Sequence, residues 1–464
     1  ADASPPPGPV SWWWDEALAA EAAWPAVPSP PLQGRHTADV VIVGGGFTGL
    51  WTALAVKERE PSLAVTLLEA DLCGSGASGK NGGKVHGYWS MLAGMVQTVG
   101  PEAALELARL GTRAQDAIRA FATSGPHDVW WREAGNLRLA TTPAQEAKAA
   151  TLVDTARRLE VADTVVPLSR DELLARVRSP LARSGLWFPE GANVHPARLA
   201  RALRRAAIER GVRVYERSPM LGLDGGTPHR VRTPHGEVVA REVVLATNVA
   251  LAAEPLVRPV LCVLSSYAVM TEAAPQALAN TGWHGDEGIA DLRMFLHYFR
   301  KTPDGRVLMG SGSGPIAYGA QVHDPRLTRD AASARRAVAG LRRLLPAMGE
   351  VPIAKAWGGA IDVSSDRLPF FRTRPGSRVH VGCGYSGHGV NATWIGGQCL
   401  ASLALGRRDE WTASPFCTRT LPRLPPEPLR TLGGLPIRRA ILRCEEAEDN
   451  GQPAPRAART IAAL

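Results

Sequence analysis

The alternation of apolar and polar positions predicts a strand-helix-strand unit near the start of the chain. Residues 39–43 (Asp-Val-Val-Ile-Val) are typical of a buried strand, residues 47–60 have the apolar spacing of a helix, and residues 64–69 are a second apolar run. Two buried strands joined by one helix form a βαβ unit. We therefore predict an α/β fold for this part of the chain.

The later segments mix helices with strands. Helical spacing covers residues 101–121, 143–160, 328–345 and 391–405, a further helix begins at Pro196 and ends at Gly211, and extended patterns cover 130–140, 212–215 and 243–247. Residues 296–301 and 306–310 flank Thr302-Pro-Asp-Gly305, a strong hairpin signal. The region from 261 to 315 therefore indicates antiparallel strands, and residues 446–464 are predicted to form a flexible tail.

Composition and charge exclude several classes of protein. The net charge of +9 comes mostly from dispersed arginines without a dense basic block, so we expect no nucleic-acid partner. Six separated cysteines form no CxxC pair, which argues against a zinc site and fits a reducing compartment. No apolar run approaches the roughly 18 residues of a membrane span, and the start lacks the pattern of a secretory signal. A cytoplasmic protein without a membrane partner is expected; residue 1 is not Met, which leaves a processed N-terminus open.

A glycine motif lies between the first strand and helix. Gly44, Gly46 and Gly49 form GxGxxG, and Glu69 follows twenty residues after the last glycine. In this context the glycines permit a tight turn and close approach of a pyrophosphate, and the glutamate can bind a ribose hydroxyl. Dinucleotide binding is predicted; the alternative is a tight turn beside an exposed glutamate.

A second glycine-rich stretch favours FAD over NAD as the predicted cofactor. Residues 74–83 (Gly-Ser-Gly-Ala-Ser-Gly-Lys-Asn-Gly-Gly) follow the second strand directly. In that place, backbone amides can meet the remainder of a large cofactor, although such a stretch can also be a mobile linker. An NAD-dependent dehydrogenase would leave a third glycine loop at 384–389 (Gly-Tyr-Ser-Gly-His-Gly) unexplained.

Together these motifs, with 245–248 (Leu-Ala-Thr-Asn), resemble the D-amino-acid oxidase-like family of FAD-dependent oxidoreductases, and most of all its gamma-glutamylputrescine oxidase-like branch, over roughly residues 10–440. The resemblance implies a discontinuous Rossmann-like FAD-binding domain and a mainly antiparallel substrate domain. It implies FAD contacts from Gly44, Gly46, Phe47, Thr48, Gly49, Glu69, Ala70, Ser78, Lys80, Asn81, Gly82, Gly83, Met220, Thr247, Gly384, Tyr385, Ser386, Gly387, His388 and Gly389.

The resemblance also divides the chain into segments. Residues 1–37 are a Pro- and Trp-rich arm that packs its tryptophans on the body, and residues 38–105, 186–260 and 350–410 form the FAD domain. Residues 106–185 and 261–349 form the substrate domain, and residues 411–464 are a C-terminal segment.

The late glycine loop precedes an apolar helix, so its amides and the positive helix end can face the flavin. We expect this backbone role for the loop, with proton transfer by the His388 imidazole, or a purely structural histidine, as alternatives. Tyr298, Arg300, Trp357 and His86 are further substrate-side candidates, because aromatic faces and a few hydrogen-bonding groups can frame an amine.

Three departures from sarcosine-oxidase-like relatives stand out. Asn391 replaces a lysine that pairs with the substrate carboxylate, which makes amino-acid substrates less expected. No cysteine lies between Cys262 and Cys383, and Gly359 occupies the approximate tethering position, so FAD is expected without a covalent bond. An oxygen-activating lysine is replaced near Met309, which leaves open whether oxygen or another acceptor takes the electrons.

The predicted function is oxidation of a primary or secondary amine to an imine by hydride transfer to flavin, followed by hydrolysis to an aldehyde. An amino acid or aminophosphonate oxidase or dehydrogenase of the same family, and a non-catalytic flavoprotein subunit, are the alternatives. The oligomeric state cannot be predicted.

Overall fold

The computed structural model describes residues 5–24 and 27–462. Its strands are β1 (Gly34–Val43), β2 (Val65–Leu68), β3 (Lys84–Val85), β4 (Arg132–Glu133), β5 (Asn136–Ala140), β6 (Val166–Leu168), β7 (Ser184–Phe188), β8 (Ala192–Asn193), β9 (Arg213–Tyr215), β10 (Gly222–Asp224), β11 (His229–Arg232), β12 (Gly236–Leu245), β13 (Leu261–Thr271), β14 (Gly288–Asp291), β15 (His297–Lys301), β16 (Val307–Ser311), β17 (Ile353–Ser364), β18 (Phe370–Thr373) and β19 (Val379–Cys383).

The helices are α1 (Trp12–Glu21), α2 (Phe47–Arg59), α3 (Leu92–Val99), α4 (Pro101–Ser124), α5 (Pro143–Arg158), α6 (Arg170–Leu174), α7 (Pro196–Glu209), α8 (Pro275–Asn280), α9 (Arg326–Arg329), α10 (Ala331–Leu344), α11 (Gly389–Ala404), α12 (Glu410–Ala413), α13 (Pro415–Thr418), α14 (Leu429–Asp449) and α15 (Arg456–Ala462). The predicted βαβ unit is confirmed as β1, α2 and β2.

The first large sheet is built from three separate parts of the chain. Strands β19, β12, β1, β2 and β9 lie side by side in parallel, and β10, β11 and β18 extend the sheet with antiparallel pairs. The central strand β1 ends in four buried residues, because it is covered on both faces. This arrangement confirms the discontinuous Rossmann-like fold class, while the exact domain boundaries stay a prediction.

The second large sheet has the order β17-β13-β16-β15-β14-β5-β7-β6. All of its neighbouring pairs are antiparallel except β14 and β5. The predicted hairpin is confirmed as β15 and β16, which pair from His297 opposite Ser311 to Lys301 opposite Val307. The mainly antiparallel second sheet is therefore also confirmed.

The N-terminal arm packs on the body, as predicted for its tryptophans; residues 1–4 lie outside the described residues. Helix α1 begins after Ser11, whose hydroxyl accepts a hydrogen bond from the Trp14 amide. Trp13 and Trp14 are buried in a cluster that includes Trp357 and Leu308 of the second sheet. The arm therefore covers one end of that sheet.

Two predictions about helices are corrected. The single helix predicted over 328–345 is interrupted at Asp330, whose backbone is extended and whose carboxylate accepts a hydrogen bond from the Ser333 amide as the cap of α10. Within the flexible tail predicted for residues 446–464, residues 446–449 instead belong to α14 and residues 456–462 form α15, while residues 463 and 464 lie outside the described residues. Glu445 of α14 accepts a hydrogen bond from the Phe295 amide, and Asp449 pairs with Arg293, so the acidic end of this helix is held by the second sheet.

In the part of the chain that the structure describes, no helix is both long and apolar enough to cross a membrane.

Candidate active site

A cavity of about 1100 Å³ opens between the two large sheets. Its walls come from the first glycine loop, the second glycine stretch, strands β13 and β17, the late glycine loop and one face of α14. At one end lie Glu69 and Met220, and the late loop, with Gly387 and His388, forms another part of the wall. The parallel strands β1, β2 and β12 end at this cavity, which is where sheets of this kind bind ligands.

The first glycine loop has the geometry of a phosphate site. Gly44 has φ +111°, and a Cβ there would lie 2.5 Å from the Ala246 carbonyl oxygen, so only glycine fits. The Phe47 amide donates to the Ser78 hydroxyl at 2.9 Å, which joins the start of α2 to the second glycine stretch. The positive end of α2 therefore faces the cavity, as anion binding requires.

Glu69 follows β2 and supports the first loop directly. Its Oε2 accepts a hydrogen bond from the Gly45 amide at 2.6 Å, and its Oε1 accepts one from the Asp71 amide at 3.0 Å. Burial raises the pKa of this carboxyl. Each carboxylate oxygen can accept further bonds, so the predicted contact with a ribose hydroxyl fits this geometry.

The second glycine stretch is held by its own asparagine. Asn81 Nδ2 donates to the Ser78 carbonyl at 2.8 Å, and Asn81 Oδ1 accepts from the Gly83 amide at 2.7 Å. The Trp357 indole donates to the Lys80 carbonyl at 2.8 Å, which ties the stretch to β17. Ser78, Lys80, Asn81 and Gly82 line the cavity, and these contacts make the stretch an ordered wall.

The late glycine loop is anchored by Asp362, a residue that the sequence analysis did not select. Its Oδ2 accepts hydrogen bonds from the Gly384 amide at 2.5 Å and the Tyr385 amide at 3.3 Å, and its carbonyl accepts one from the Ser386 amide at 2.9 Å. Burial raises the pKa of Asp362 to about 6. An acidic residue at the end of an otherwise apolar strand is the one signal that could have pointed to it.

The first and late loops meet through side chains. The Tyr385 hydroxyl lies 2.7 Å from the Thr48 hydroxyl, in hydrogen-bond contact across 337 positions of the chain. Burial raises the pKa of Tyr385, so the phenol is neutral. This contact fixes the late loop against the helix that faces the phosphate site.

Two neutral histidines lie side by side in the cavity wall. The rings of His86 and His388 meet edge to face with centroids 5.6 Å apart. Burial lowers the pKa of His388 to about 3 and that of His86 well below its usual value, so both are uncharged at neutral pH. Nδ1 of His388 lies 3.1 Å from the Ser386 carbonyl, and Nδ1 of His86 lies 3.2 Å from the Gly87 carbonyl. Because a carbonyl only accepts, Nδ1 carries the proton on each ring and Nε2 is the acceptor.

The structure brings most predicted residues together at the cavity. The predicted residues in its wall are Gly44, Gly46, Phe47, Thr48, Glu69, Ala70, Ser78, Lys80, Asn81, Gly82, His86, Met220, Thr247, Tyr298, Trp357, Tyr385, Ser386, Gly387, His388 and Gly389. Gly49, Gly83 and Gly384 lie behind the wall and shape the turns.

Arg300 lies away from the cavity wall. It is 1% exposed, donates to the Val194 carbonyl at 2.5 Å and the Gly83 carbonyl at 3.3 Å, and stacks 5.2 Å above the Trp13 ring. A guanidinium so engaged holds β15 to the second glycine stretch and cannot meet a substrate. The structure therefore gives Arg300 a packing position in place of the predicted substrate contact.

The cavity also contains cations that the sequence analysis did not select. Lys84, Arg138 and Arg367 line it, and Arg438 of α14 closes one side by donating to the Ser313 and Gly314 carbonyls. Lys84 directly follows the second glycine stretch, two residues before His86, and could have been selected from that position. No local pattern marks Arg138, because the pairing of β5 brings it to the cavity from a distant part of the chain.

The fold and the cavity are those of a dinucleotide-binding protein, and comparisons with known proteins give its family. Residues 39–403 match the DAO family of FAD dependent oxidoreductases. The chain is 30% identical over 395 residues to gamma-glutamylputrescine oxidoreductase of Escherichia coli (strain K12), which covers 83% of this chain and 88% of the relative. It is 29% identical to the probable oxidoreductase OrdL of Rhizobium meliloti (strain 1021), over 87% of this chain and 90% of the relative.

The solved structure of glycine oxidase from Geobacillus kaustophilus has the same fold, with a TM-score of 0.69 at 21% identity over 83% of this chain and 100% of that chain. The chain belongs to the DAO family of FAD-dependent oxidoreductases, an enzyme family that acts on amines and amino acids. Its cofactor is FAD, as predicted. The tight Gly44 turn and the start of α2, which lines the cavity and has no side-chain cap, fit the pyrophosphate of that cofactor.

Proposed function

We propose that this enzyme oxidises a primary or secondary amine to an imine, which water hydrolyses to an aldehyde and ammonia or a smaller amine. The observation that carries the proposal is the pair of neutral imidazoles, His86 and His388, in the wall of the cavity that also holds the dinucleotide loops. Similarity to gamma-glutamylputrescine oxidoreductase of Escherichia coli supports an amine as the reacting group. The hydride from the carbon next to the amine nitrogen would pass to FAD when that cofactor is bound, which leaves a protonated imine. This ion can react with water directly or lose its N–H proton to water, so the step needs no protein base.

The two imidazoles suit a neutral amine. Nε2 of His388 can accept a hydrogen bond from an amine N–H, and Nε2 of His86 offers a second acceptor beside it. A primary amine can donate to both acceptors and a secondary amine to one of them, and in either case the nitrogen lone pair stays free. Because the pKa of His388 is held near 3, this ring positions the amine and is a poor base for removing its proton.

Other parts of the wall exclude water and place charge. Tyr298 and Trp357 line the cavity with aromatic surface, and their polar atoms are occupied by the Ser266 hydroxyl and the Lys80 carbonyl. Helix α11 begins at Gly389 without a side-chain cap, so its positive end favours negative charge in the adjoining space. The residues thus enclose the reacting groups and stabilise charge that develops beside the late loop.

The test is anaerobic mixing of the purified holoenzyme with separate classes of amine: diamines, a γ-glutamylated diamine, aminophosphonates and N-methyl amino acids. Loss of the visible flavin bands with one class, and detection of the matching aldehyde, support the proposal and give the substrate class. If dithionite bleaches the flavin bands and none of the amines does, the result contradicts the proposal and favours a non-catalytic flavoprotein. Readmitting air then shows whether oxygen is the electron acceptor.

A further inference from the structure

We propose that the N-terminal arm is a clamp that holds the second glycine stretch, residues 74–83, in the conformation that binds FAD. Trp14 and Ser11 are its positioning residues. The inference concerns retention of the cofactor and goes beyond the amine chemistry proposed above. Loss of the clamp should release FAD before it unfolds the protein.

The second glycine stretch needs other parts of the molecule to hold it in place. Five of its ten residues are glycine, which loses more conformational freedom on folding than any other residue. Its regular structure is one short turn, Ala77–Gly79, and the Asn81 hydrogen bonds brace its second half. A segment of this composition is flexible unless its surroundings fix it.

Trp14 of α1 covers the first half of the stretch. Its ring atoms lie 3.4 Å from the place of a Cβ at Gly74 and 3.1 Å from that of a Cβ at Gly79, so the indole rests on both glycines. Both glycines are buried, and Trp14 is 9% exposed. Because neither glycine has a side chain, the indole fills the space beside them, and a smaller residue at position 14 would leave that space empty.

Ser11 joins the arm to the same turn by a hydrogen bond. Its hydroxyl donates to the Gly79 carbonyl at 2.6 Å and accepts from the Trp14 amide at 3.0 Å. Since Ser11 is fully buried, loss of the hydroxyl would take a donor from a carbonyl that water does not reach through the arm. One side chain therefore both begins α1 and holds the stretch.

A further link runs from the arm to the second half of the stretch. The Gly8 amide donates to the Ala356 carbonyl at 3.1 Å, and the Gly8 carbonyl accepts from the Gly358 amide at 3.1 Å, so Gly8 pairs with β17 on both sides of Trp357. The Trp357 indole in turn donates to the Lys80 carbonyl at 2.8 Å. The arm thus supports the residue that fixes Lys80.

The arm is itself fastened to the helix on the other side of the stretch. Two ion pairs join α1 to α7: Glu16 with Arg198 and Glu21 with Arg201. Ala200 of α7 lies against Gly74, since its Cβ is 2.6 Å from the place of a Cβ there. The stretch is therefore held between α1 and α7.

The clamped stretch faces the cofactor cavity, while α1 lies outside the cavity wall. Ser78 and Asn81 line the cavity, and the Ser78 hydroxyl accepts from the Phe47 amide at the start of α2. If the stretch leaves this conformation in part of the molecules, the apparent Kd for FAD rises by the factor by which the competent fraction falls. The arm therefore acts on FAD affinity through the stretch.

The first experiment follows release of FAD when the purified holoenzyme is diluted, with the rise in flavin fluorescence as the signal. Trp14→Leu and Ser11→Ala are the test variants, and Ser11→Thr keeps a hydroxyl for both hydrogen bonds. We expect the Kd for FAD to rise about tenfold in Trp14→Leu and about fivefold in Ser11→Ala, and to stay near the wild-type value in Ser11→Thr.

Two control variants weaken the arm or a helix cap away from the stretch. Trp12→Leu removes an indole of the same helix, whose ring packs 6.4 Å from that of Trp130. Thr142→Ala removes the hydroxyl that accepts from the Gln145 amide at the start of α5. Both should lower the free energy of unfolding while the Kd for FAD stays within about twofold of the wild type. Equal rises of this Kd in Trp12→Leu and Trp14→Leu would indicate a general loss of stability and overturn the clamp.

Hydrogen exchange of the holoenzymes shows where the change occurs. Faster exchange of the amides of residues 74–83 in Trp14→Leu and Ser11→Ala than in the wild type supports the clamp. Faster exchange confined to α1, with the Kd for FAD unchanged, overturns it. If Trp14→Leu does not fold, Ser11→Ala, which removes a single hydroxyl, decides by the same two readouts. Neither measurement uses an amine, so the result does not depend on the proposed function.

Discussion

The carboxylate of Asp362 lies 2.5 Å from the backbone amide nitrogen of Gly384, so one buried acid at the end of β17 holds the loop that begins at the end of β19. The same oxygen also accepts from the Tyr385 amide. The position of the late loop, and with it that of His388, therefore depends on a charge placed in the apolar interior. The next prediction tests that dependence.

Asp362 should make folding stability depend on pH in a defined direction. Its pKa rises from 3.8 to about 6 on burial, so the folded state binds this proton more tightly than the unfolded chain does. The Asp362 contribution to the free energy of unfolding therefore falls as pH rises from about 4 to about 6 and is constant above that. The free energy of unfolding, measured with urea at several pH values in this range, should depend on pH more steeply in the wild type than in Asp362→Asn. The same pH dependence in both proteins would contradict the assignment.

The contact between Thr48 and Tyr385 should couple the two loops energetically. Thr48→Val and Tyr385→Phe each remove one hydroxyl of a buried pair 2.7 Å apart, so the double variant should cost less than the sum of the single variants. We expect a coupling of about 0.5–1.5 kcal/mol in the free energy of unfolding. Thr151→Val combined with Tyr385→Phe is the additive control, because Thr151 donates to the Ala147 carbonyl within α5. Additive behaviour of the first pair would exclude the coupling.

Local sequence patterns predicted the glycine loops well, because each loop has its signal within ten residues. The tight turn from β1 to α2 requires a positive φ at Gly44, and the position of the motif between a predicted strand and a predicted helix indicates that turn. The hairpin of β15 and β16 was equally local. Tyr298 and Arg300 lie two positions apart in β15 and so have the same place in its alternating pattern. That pattern therefore could not show that Tyr298 lines the cavity while Arg300 packs on the Trp13 ring.

Features that depend on long-range strand pairing were out of reach of the sequence. Arg138 reaches the cavity because β5 pairs in parallel with β14, where Arg138 lies opposite Ala290. Asp362 lies opposite Val263 in the pairing of β17 with β13, and from there its carboxylate accepts a hydrogen bond from the Gly384 amide of the late loop. The helical C-terminal segment was missed for a similar reason, because Asp449 at its acidic end pairs with the buried Arg293, which lies 156 positions earlier.

His388 should not appear in the pH profile of amine oxidation. Since burial holds its pKa near 3, the imidazole is neutral from pH 5 to 9, and any rise of kcat/KM with pH should reflect loss of a proton from the free amine. His388→Gln keeps a hydrogen-bond acceptor, so it should lower kcat/KM while the midpoint of the profile stays in place. The measurement is kcat/KM against pH with two amines of different basicity. Disappearance of a midpoint near pH 6 to 7 in the variant would instead make His388 the titrating base.

Arg300 should matter for stability and not for substrate choice. Arg300→Met removes the donor that meets the Val194 and Gly83 carbonyls, which leaves buried acceptors without partners. We expect the free energy of unfolding to fall by about 2–4 kcal/mol. The ratio of kcat/KM for acidic and neutral amines should stay within about threefold of the wild type, since a change of less than one kcal/mol corresponds to that factor. A large change in the ratio for Arg300→Met would place Arg300 in contact with the substrate after all.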